Sequence, residues 1–269
     1  MQYIKSNDGT KIAVYDYNPK GKQTIFLIHG WPLSHKIYEY QINLLTDCGL
    51  RVVAVDLRGF GKSDTPVFGY TYNQMSADIF NVVQRLKLRN FILVGFSMGG
   101  AIALRYMNIY KGFGVNKLIL LSAAAPCFTQ RPDFPYGKTV QEVNSLINLA
   151  ETDRPQLCLN FSRQLFASPH SEAVIDWFRD IALSASGIGT IKCGIALRDE
   201  DGRKDLSCVH VPTFIIHGDK DKIVSNELAE IQHKEICNSK LFTLSNSGHG
   251  ITYDELEKFN SIFINAIKS

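Results

Sequence analysis

A serine sits between two glycines at Gly95-Phe96-Ser97-Met98-Gly99, where an apolar run gives way to a helical pattern. A hydroxyl is a poor nucleophile at neutral pH. It becomes a useful one only with a general base beside it and an orienting group behind that base. A nucleophilic serine on a sharp strand-to-helix turn needs small neighbours, because its backbone is strained and flanking side chains would collide. The opening of the next helix offers unbonded N–H groups and the positive end of its dipole. An oxyanion beside Ser97 would therefore be stabilised by the Met98 N–H. The five-residue pattern alone is weak, since about one chain in ten of this length carries it by chance. Its strand–turn–helix setting makes it considerably stronger.

The base and its partner are sought further along the chain, because an α/β sheet of this kind orders them serine, acid, histidine. Of seven histidines, His249 in Ser-Asn-Ser-Gly-His-Gly follows the last apolar run, on a loop that its flanking glycines leave flexible. His217 ends a strand pattern and reads as structural. His35, His170, His210 and His233 have no special sequence neighbours. The acid is expected just past the preceding strand, in Thr213-Phe-Ile-Ile-His-Gly-Asp-Lys-Asp-Lys-Ile-Val224, which offers Asp219 and Asp221. Asp221 lies deeper in the turn and is favoured. Asp219 is expected to cap backbone amides there. A second oxyanion donor is expected from the Trp31 N–H in His29-Gly30-Trp31-Pro32, with Pro32 stiffening the loop. Leu33, Met98, Phe128, Phe161, Phe166, Ile223 and Val224 are candidates for an apolar substrate pocket.

The elements that must position these groups follow from the apolar pattern. Short β-branched runs recur at 24–28, 51–55, 91–95, 117–122, 213–217 and 240–244. They are continuous rather than alternating, as in parallel strands buried on both faces. Segments 2–6 and 11–17 flank Asn-Asp-Gly-Thr and read as an antiparallel hairpin at the sheet edge. Helical spacing fills 38–49 and 72–88 between strands, which implies a three-layer α/β fold with right-handed crossovers. The interval 122–211 is far longer than a sheet connection needs. Its apolar residues fall at helical spacing over 138–151, 154–168 and 171–186. The chain thus divides into a core over 1–121 and 212–269 and a helical cap over 122–211. Most aromatics of the cap are expected to fill its own interior.

Net charge is +3 with 20% charged residues and no run of like charges, which argues against a nucleic-acid partner. Neither a signal-peptide core nor an 18-residue apolar stretch is present, so no membrane partner is expected. Six cysteines without CxxC spacing read as reduced and mostly buried, as in a cytoplasmic protein. No metal-ligand spacing appears, and the proposed chemistry needs no cofactor. Asp56-Leu-Arg-Gly-Phe-Gly-Lys-Ser-Asp64 is glycine-rich but lacks the spacing and lysine of a phosphate loop. It reads as a structural loop, with Arg58 and Asp64 in local hydrogen bonds. The expected partner is a small-molecule ester; a homo-oligomer is left open.

His-Gly-Trp-Pro-Leu-Ser, Asp-Leu-Arg-Gly-Phe-Gly-Lys-Ser-Asp, Gly-Phe-Ser-Met-Gly-Gly, Arg-Pro-Asp-Phe-Pro-Tyr-Gly and His-Gly-Asp-Lys-Asp-Lys-Ile-Val together resemble the α/β-hydrolase fold over nearly the whole chain. More narrowly, they are similar to the arylesterase and cofactor-free haloperoxidase (perhydrolase) group. The resemblance implies a mostly parallel eight-stranded sheet with helices on both faces and an inserted helical cap. It also implies a Ser97–Asp221–His249 triad and an oxyanion hole from Trp31 and Met98. The family's Pro-His-Gly at the histidine reads Gly-His-Gly here, which bears on how rigid that loop is. The cap matches loosely, so substrate range transfers least. The leading expectation is a serine carboxylesterase of small or aryl esters. Two alternatives are a perhydrolase that passes the acyl group to hydrogen peroxide, and a ligand-binding protein that retains a triad.

Overall fold

The computed structural model describes all of residues 1–269. Eight strands form one sheet: β1 (Gln2–Lys5), β2 (Lys11–Tyr17), β3 (Thr24–Ile28), β4 (Arg51–Val55), β5 (Phe91–Phe96), β6 (Val115–Leu121), β7 (Thr213–Gly218) and β8 (Ser239–Leu244). Their spatial order is β1-β2-β4-β3-β5-β6-β7-β8. β1 and β2 pair antiparallel, as do β2 and β4; every later pair is parallel. The hairpin turn closes through Ser6 N–H to the Thr10 carbonyl and Gly9 N–H to the Ser6 carbonyl. Gly9 sits at φ +87°, a conformation that costs glycine little.

Five helices flank the sheet outside the 122–211 interval, α1 (Glu39–Asp47), α2 (Tyr72–Arg85), α3 (Met98–Ile109), α9 (Asn226–Glu235) and α10 (Leu256–Lys268), and a short one at the end of that interval, α8 (Arg203–Leu206), leads back to the sheet. Alternate residues of each central strand face opposite layers. Phe26, Ile28, Leu93, Leu118 and Leu120 pack with α2, α3 and α9 on one face. Ile25, Leu27, Val94, Ile119 and Leu121 pack with α1 and α10 on the other. This double burial is what the unbroken apolar runs require. β8 departs from it: as the last strand it is half exposed, with Lys240 and Thr243 open to solvent.

Between β6 and β7 lie α4 (Val140–Thr152), α5 (Arg154–Gln164), α6 (Glu172–Leu183) and α7 (Gly187–Asp199), before α8 returns the chain to the sheet. α4 starts with a capping box, in which Thr139 accepts from the Glu142 N–H and the Glu142 carboxylate accepts from the Thr139 N–H. α7, which carries glycines at 187, 189 and 194, has almost no apolar stripe to mark it in sequence. The return is tied to α3 by Arg105, whose guanidinium binds Asp205 (2.7 Å) and Glu200 (3.2 Å). Phe178, Phe166, Trp177, His170 and Tyr253 stack edge to face where α6 meets the loop before α10.

The Asp56–Asp64 loop is held by its charges. Arg58, fully buried, binds Asp78 through two nitrogens (2.7 and 2.6 Å) and Asp8 (2.8 Å). Asp64 accepts from the Lys11 N–H (2.9 Å). These partners lie 20 to 53 residues away, so the hydrogen bonds are long-range rather than local. All six cysteines are unpaired; Cys127, Cys158 and Cys193 are buried, which is half of them rather than most. No single helix is long and apolar enough to cross a membrane; only α6 and α7 together, bent by 92°, reach that length and composition.

Candidate active site

Ser97 occupies the turn between β5 and α3 at φ +54°, ψ −121°, a conformation disfavoured for any residue with a side chain. The surroundings dictate it. The Ser97 N–H donates to the Leu121 carbonyl of the neighbouring strand, and the Ser97 carbonyl accepts from Gly100 and Ala124. The flanking glycines are needed for space. A Cβ at Gly95 would lie 2.5 Å from the Gly99 carbonyl oxygen, and one at Gly99 would lie 2.5 Å from that of His29. Gly30 is equally confined, because a Cβ there would lie 2.7 Å from the Ser97 Cβ. The Ser97 turn and the His29–Trp31 turn therefore touch.

β7 and β8 deliver the other two groups. Asp221 lies three residues past β7 and His249 five past β8, and both side chains are completely buried. The Asp221 Oδ1 accepts from the N–H groups of Ile223 (2.8 Å) and Val224 (2.9 Å). Its Oδ2 accepts from His249 Nδ1 (2.7 Å). Burial acts to raise the Asp221 pKa, but the His249 charge and hydrogen bond, with His217 and the Val224 amide, outweigh it. The carboxyl stays below its ordinary range and is ionised at neutral pH. His249 Nε2 is buried with no partner, and the Ser97 hydroxyl bonds to no other group of the chain. The ring of Phe96, next to the serine, lies 4.9 Å from the imidazole.

Asp219 is exposed and accepts from the Asn226 side chain (3.1 Å), not from backbone amides as expected. His217 donates to the Val224 carbonyl (3.0 Å) and bounds the acid turn from behind. Two histidines without telling sequence neighbours have carboxylate partners: His35 pairs with Asp56 (2.8 Å) and His170 with Asp254 (2.9 Å). Only the fold brings those pairs together.

The Trp31 N–H makes no hydrogen bond within the chain, and the Met98 N–H opens α3 ahead of its first intrahelical bond. The Trp31 indole is anchored by donating to the Thr190 carbonyl of α7 (2.8 Å). His29 fixes the turn before Trp31, with Nε2 accepting from Leu57 N–H (2.9 Å) and Nδ1 donating to the Gly30 carbonyl (2.8 Å). Burial pushes the His29 pKa down to about 4, so the folded ring is neutral at working pH. The unfolded chain titrates near 6.5 and so binds more protons between the two values. The contribution of His29 to stability is therefore complete above pH 6.5 and falls by about 3 kcal/mol on approach to pH 4. Urea unfolding at pH 7 and pH 5 should show a steeper loss for the wild type than for His29→Asn.

Ser97 opens into a cavity of about 310 Å³. Phe128, Phe161, Ile223 and Trp31 line it, as do Leu146, Leu149, Leu157 and Leu197 from the cap helices. Its polar lining comes from Lys138, Glu142, Ser145, Asn160, Gln164 and Lys222. Leu33, Phe166, Val224 and the Met98 side chain lie elsewhere. Leu33 and Met98 are buried against the sheet, Val224 packs under the acid turn, and Phe166 belongs to the aromatic stack beside α6. The four leucines were legible only as apolar positions of helices; which side of each helix overlooks the serine is a property of the packing. No three His, Cys, Asp or Glu side chains gather closely enough to hold a metal ion.

A family model described as the α/β hydrolase fold matches residues 23–256. The chain is 48% identical over 260 residues to the AB hydrolase superfamily protein YisY of Bacillus subtilis (strain 168), covering 97% of this chain and 96% of that protein. Among solved structures, it superposes on an esterase from Exiguobacterium antarcticum with a TM-score of 0.97 and 46% identity, over 100% of this chain and 99% of the other. It superposes on a bromoperoxidase from Bacillus anthracis with a TM-score of 0.94 and 34% identity, over the same shares.

Proposed function

The chain belongs to the α/β-hydrolase fold family and is a hydrolase, and from this premise we propose that it is a serine carboxylesterase acting on small or aryl esters. One observation carries the reading. A buried imidazole is held through Nδ1 by an ionised Asp221, its Nε2 has no hydrogen-bond partner, and a strained serine lines an apolar cavity. With Nδ1 donating to Asp221, Nε2 is the acceptor that takes the proton of Ser97 as its Oγ attacks the ester carbonyl. The new oxyanion is met by the N–H groups of Trp31 and Met98. The His249 imidazolium returns the proton to the departing alcohol. Water, deprotonated by the same Nε2, then hydrolyses the acyl-enzyme.

The cavity supports an acyl or aryl group of modest size, since it sits at the small end of ligand pockets and its walls are leucine and phenylalanine. Leu149→Trp should shorten it. Kinetics on p-nitrophenyl esters should then show kcat/KM for hexanoate falling about tenfold more than for acetate. The primary test is release of p-nitrophenol from the acetate ester, together with labelling by a serine-directed phosphonate and mass mapping of the adduct to Ser97. A protein that neither turns over nor forms that adduct is not this esterase.

A second reading follows from the likeness to the bromoperoxidase. If hydrogen peroxide replaces water at the acyl-enzyme, its oxygen displaces Ser97, and a peracid leaves that oxidises halide. Peracid formation from acetate and peroxide separates the two readings. In either, the partner is a small molecule, and six unpaired thiols suit the reducing cytoplasm.

A further inference from the structure

His249 rides on the loop between β8 and α10, outside the sheet, so something other than strand pairing must hold its ring in place. Asp254, whose carboxylate is fully buried, stands at the centre of that loop's contacts. Its Oδ2 accepts from the N–H groups of Gly248 (2.7 Å) and Ala167 (2.7 Å). Its Oδ1 accepts from the Ser168 N–H (3.1 Å) and His170 Nε2 (2.9 Å). One carboxylate thus joins the residue before His249 to the stretch that follows α5. Alongside it, the Gly250 N–H donates to the Leu165 carbonyl (2.7 Å).

The Gly-His-Gly sequence makes this closeness possible. A Cβ at residue 248 would lie 2.7 Å from the Leu165 carbonyl oxygen, and one at 250 would lie 2.8 Å from the Phe166 ring. The bond from residue 248 also requires an N–H there, which proline lacks. The other end of the connection is the substrate cavity, because α5 lines it with Leu157, Asn160, Phe161 and Gln164. The helix that touches a bound ester continues directly into the segment that grips the histidine loop.

We propose that Asp254 is a positioning residue that couples the cap to His249, so that the imidazole is held in its working orientation only while α5 is docked. The proposal rests on the esterase reading. Asp254→Asn keeps the shape but presents an N–H₂ to two of the four donors. Asp254→Glu keeps the charge and shifts the carboxylate by one methylene. In Asp254→Asn, phosphonate labelling of Ser97 and kcat should fall about 10- to 100-fold with KM within about twofold, as expected of a misplaced base. His170→Gln removes one donor and leaves the carboxylate, so it should stay near wild type. A misfolded region alone would not predict a second result: the downfield proton resonance of His249 Nδ1–H, which reports its bond to Asp221, should move or broaden in Asp254→Asn at a temperature where the protein is folded. Labelling within about twofold of wild type with that resonance unmoved would overturn the proposal. If Asp254→Asn does not fold, Asp254→Glu carries the same comparison. The resonance needs no turnover, so a wild type lacking Ser97 reactivity sinks the esterase reading while the resonance still decides the role of Asp254.

Discussion

Replacing Ser97 with alanine is expected to remove about 10⁵- to 10⁶-fold of kcat on p-nitrophenyl acetate and all phosphonate labelling. Melting should stay close to wild type. The Ser97 hydroxyl has no hydrogen-bond partner to lose, and alanine inherits the same φ of +54° that the surrounding hydrogen bonds impose. Ser97→Gly would release that strain and should melt higher, by an amount corresponding to about 1 kcal/mol. Calorimetry beside the rate assay separates loss of the nucleophile from loss of the fold. An alanine variant that still turns over ester would move the chemistry to another residue.

The second large effect is expected at Asp221. In Asp221→Asn the amide oxygen must stay where Oδ1 was, since the Ile223 and Val224 N–H groups need an acceptor. The amide N–H₂ then faces His249 Nδ1 in place of Oδ2, and two donors cannot share that 2.7 Å contact. The imidazole responds by carrying its proton on Nε2, where it can no longer accept from Ser97. A fall of about 10⁴-fold in kcat is the expected size of such a tautomer error. Asp219→Asn should remain within about twofold, because Asp219 is exposed and bonds only the Asn226 side chain. Equal losses at the two positions, measured on the same ester, would leave the choice of acid without support.

The sheet was legible because its central strands, β3 to β7, are buried on both faces and read as nearly unbroken apolar runs. The six runs coincide with strands to within two residues. β8 misled in one respect only: Leu241 and Phe242 look central but lie at the edge, since neighbour count is not encoded in a strand's own composition. The glycines around Ser97 were readable because a tight turn restricts residue type locally. The pocket was much less so. Phe128, Phe161 and Ile223 line the cavity as expected, yet Phe166 serves the stack beside α6, and four leucines of the cap helices complete the lining unannounced. A helix declares its apolar stripe in sequence; which of two apolar neighbours that stripe meets is settled only on packing. The Asp254 contacts were invisible for a similar reason. Two of the four donors are backbone N–H groups 86 and 87 residues away, which any residue but proline could supply.

Helices α4 to α7 form one continuous excursion between β6 and β7, whereas Ser97, Asp221 and His249 lie on segments after β5, β7 and β8. Recognition and reactivity are therefore inherited from largely separate stretches of polypeptide. Under the proposed esterase function, substitutions in α4 or α7 can redraw the outline of an acceptable ester while the proton-transfer apparatus is handed down intact. Lineages sharing this scaffold can diversify in diet without reinventing their chemistry.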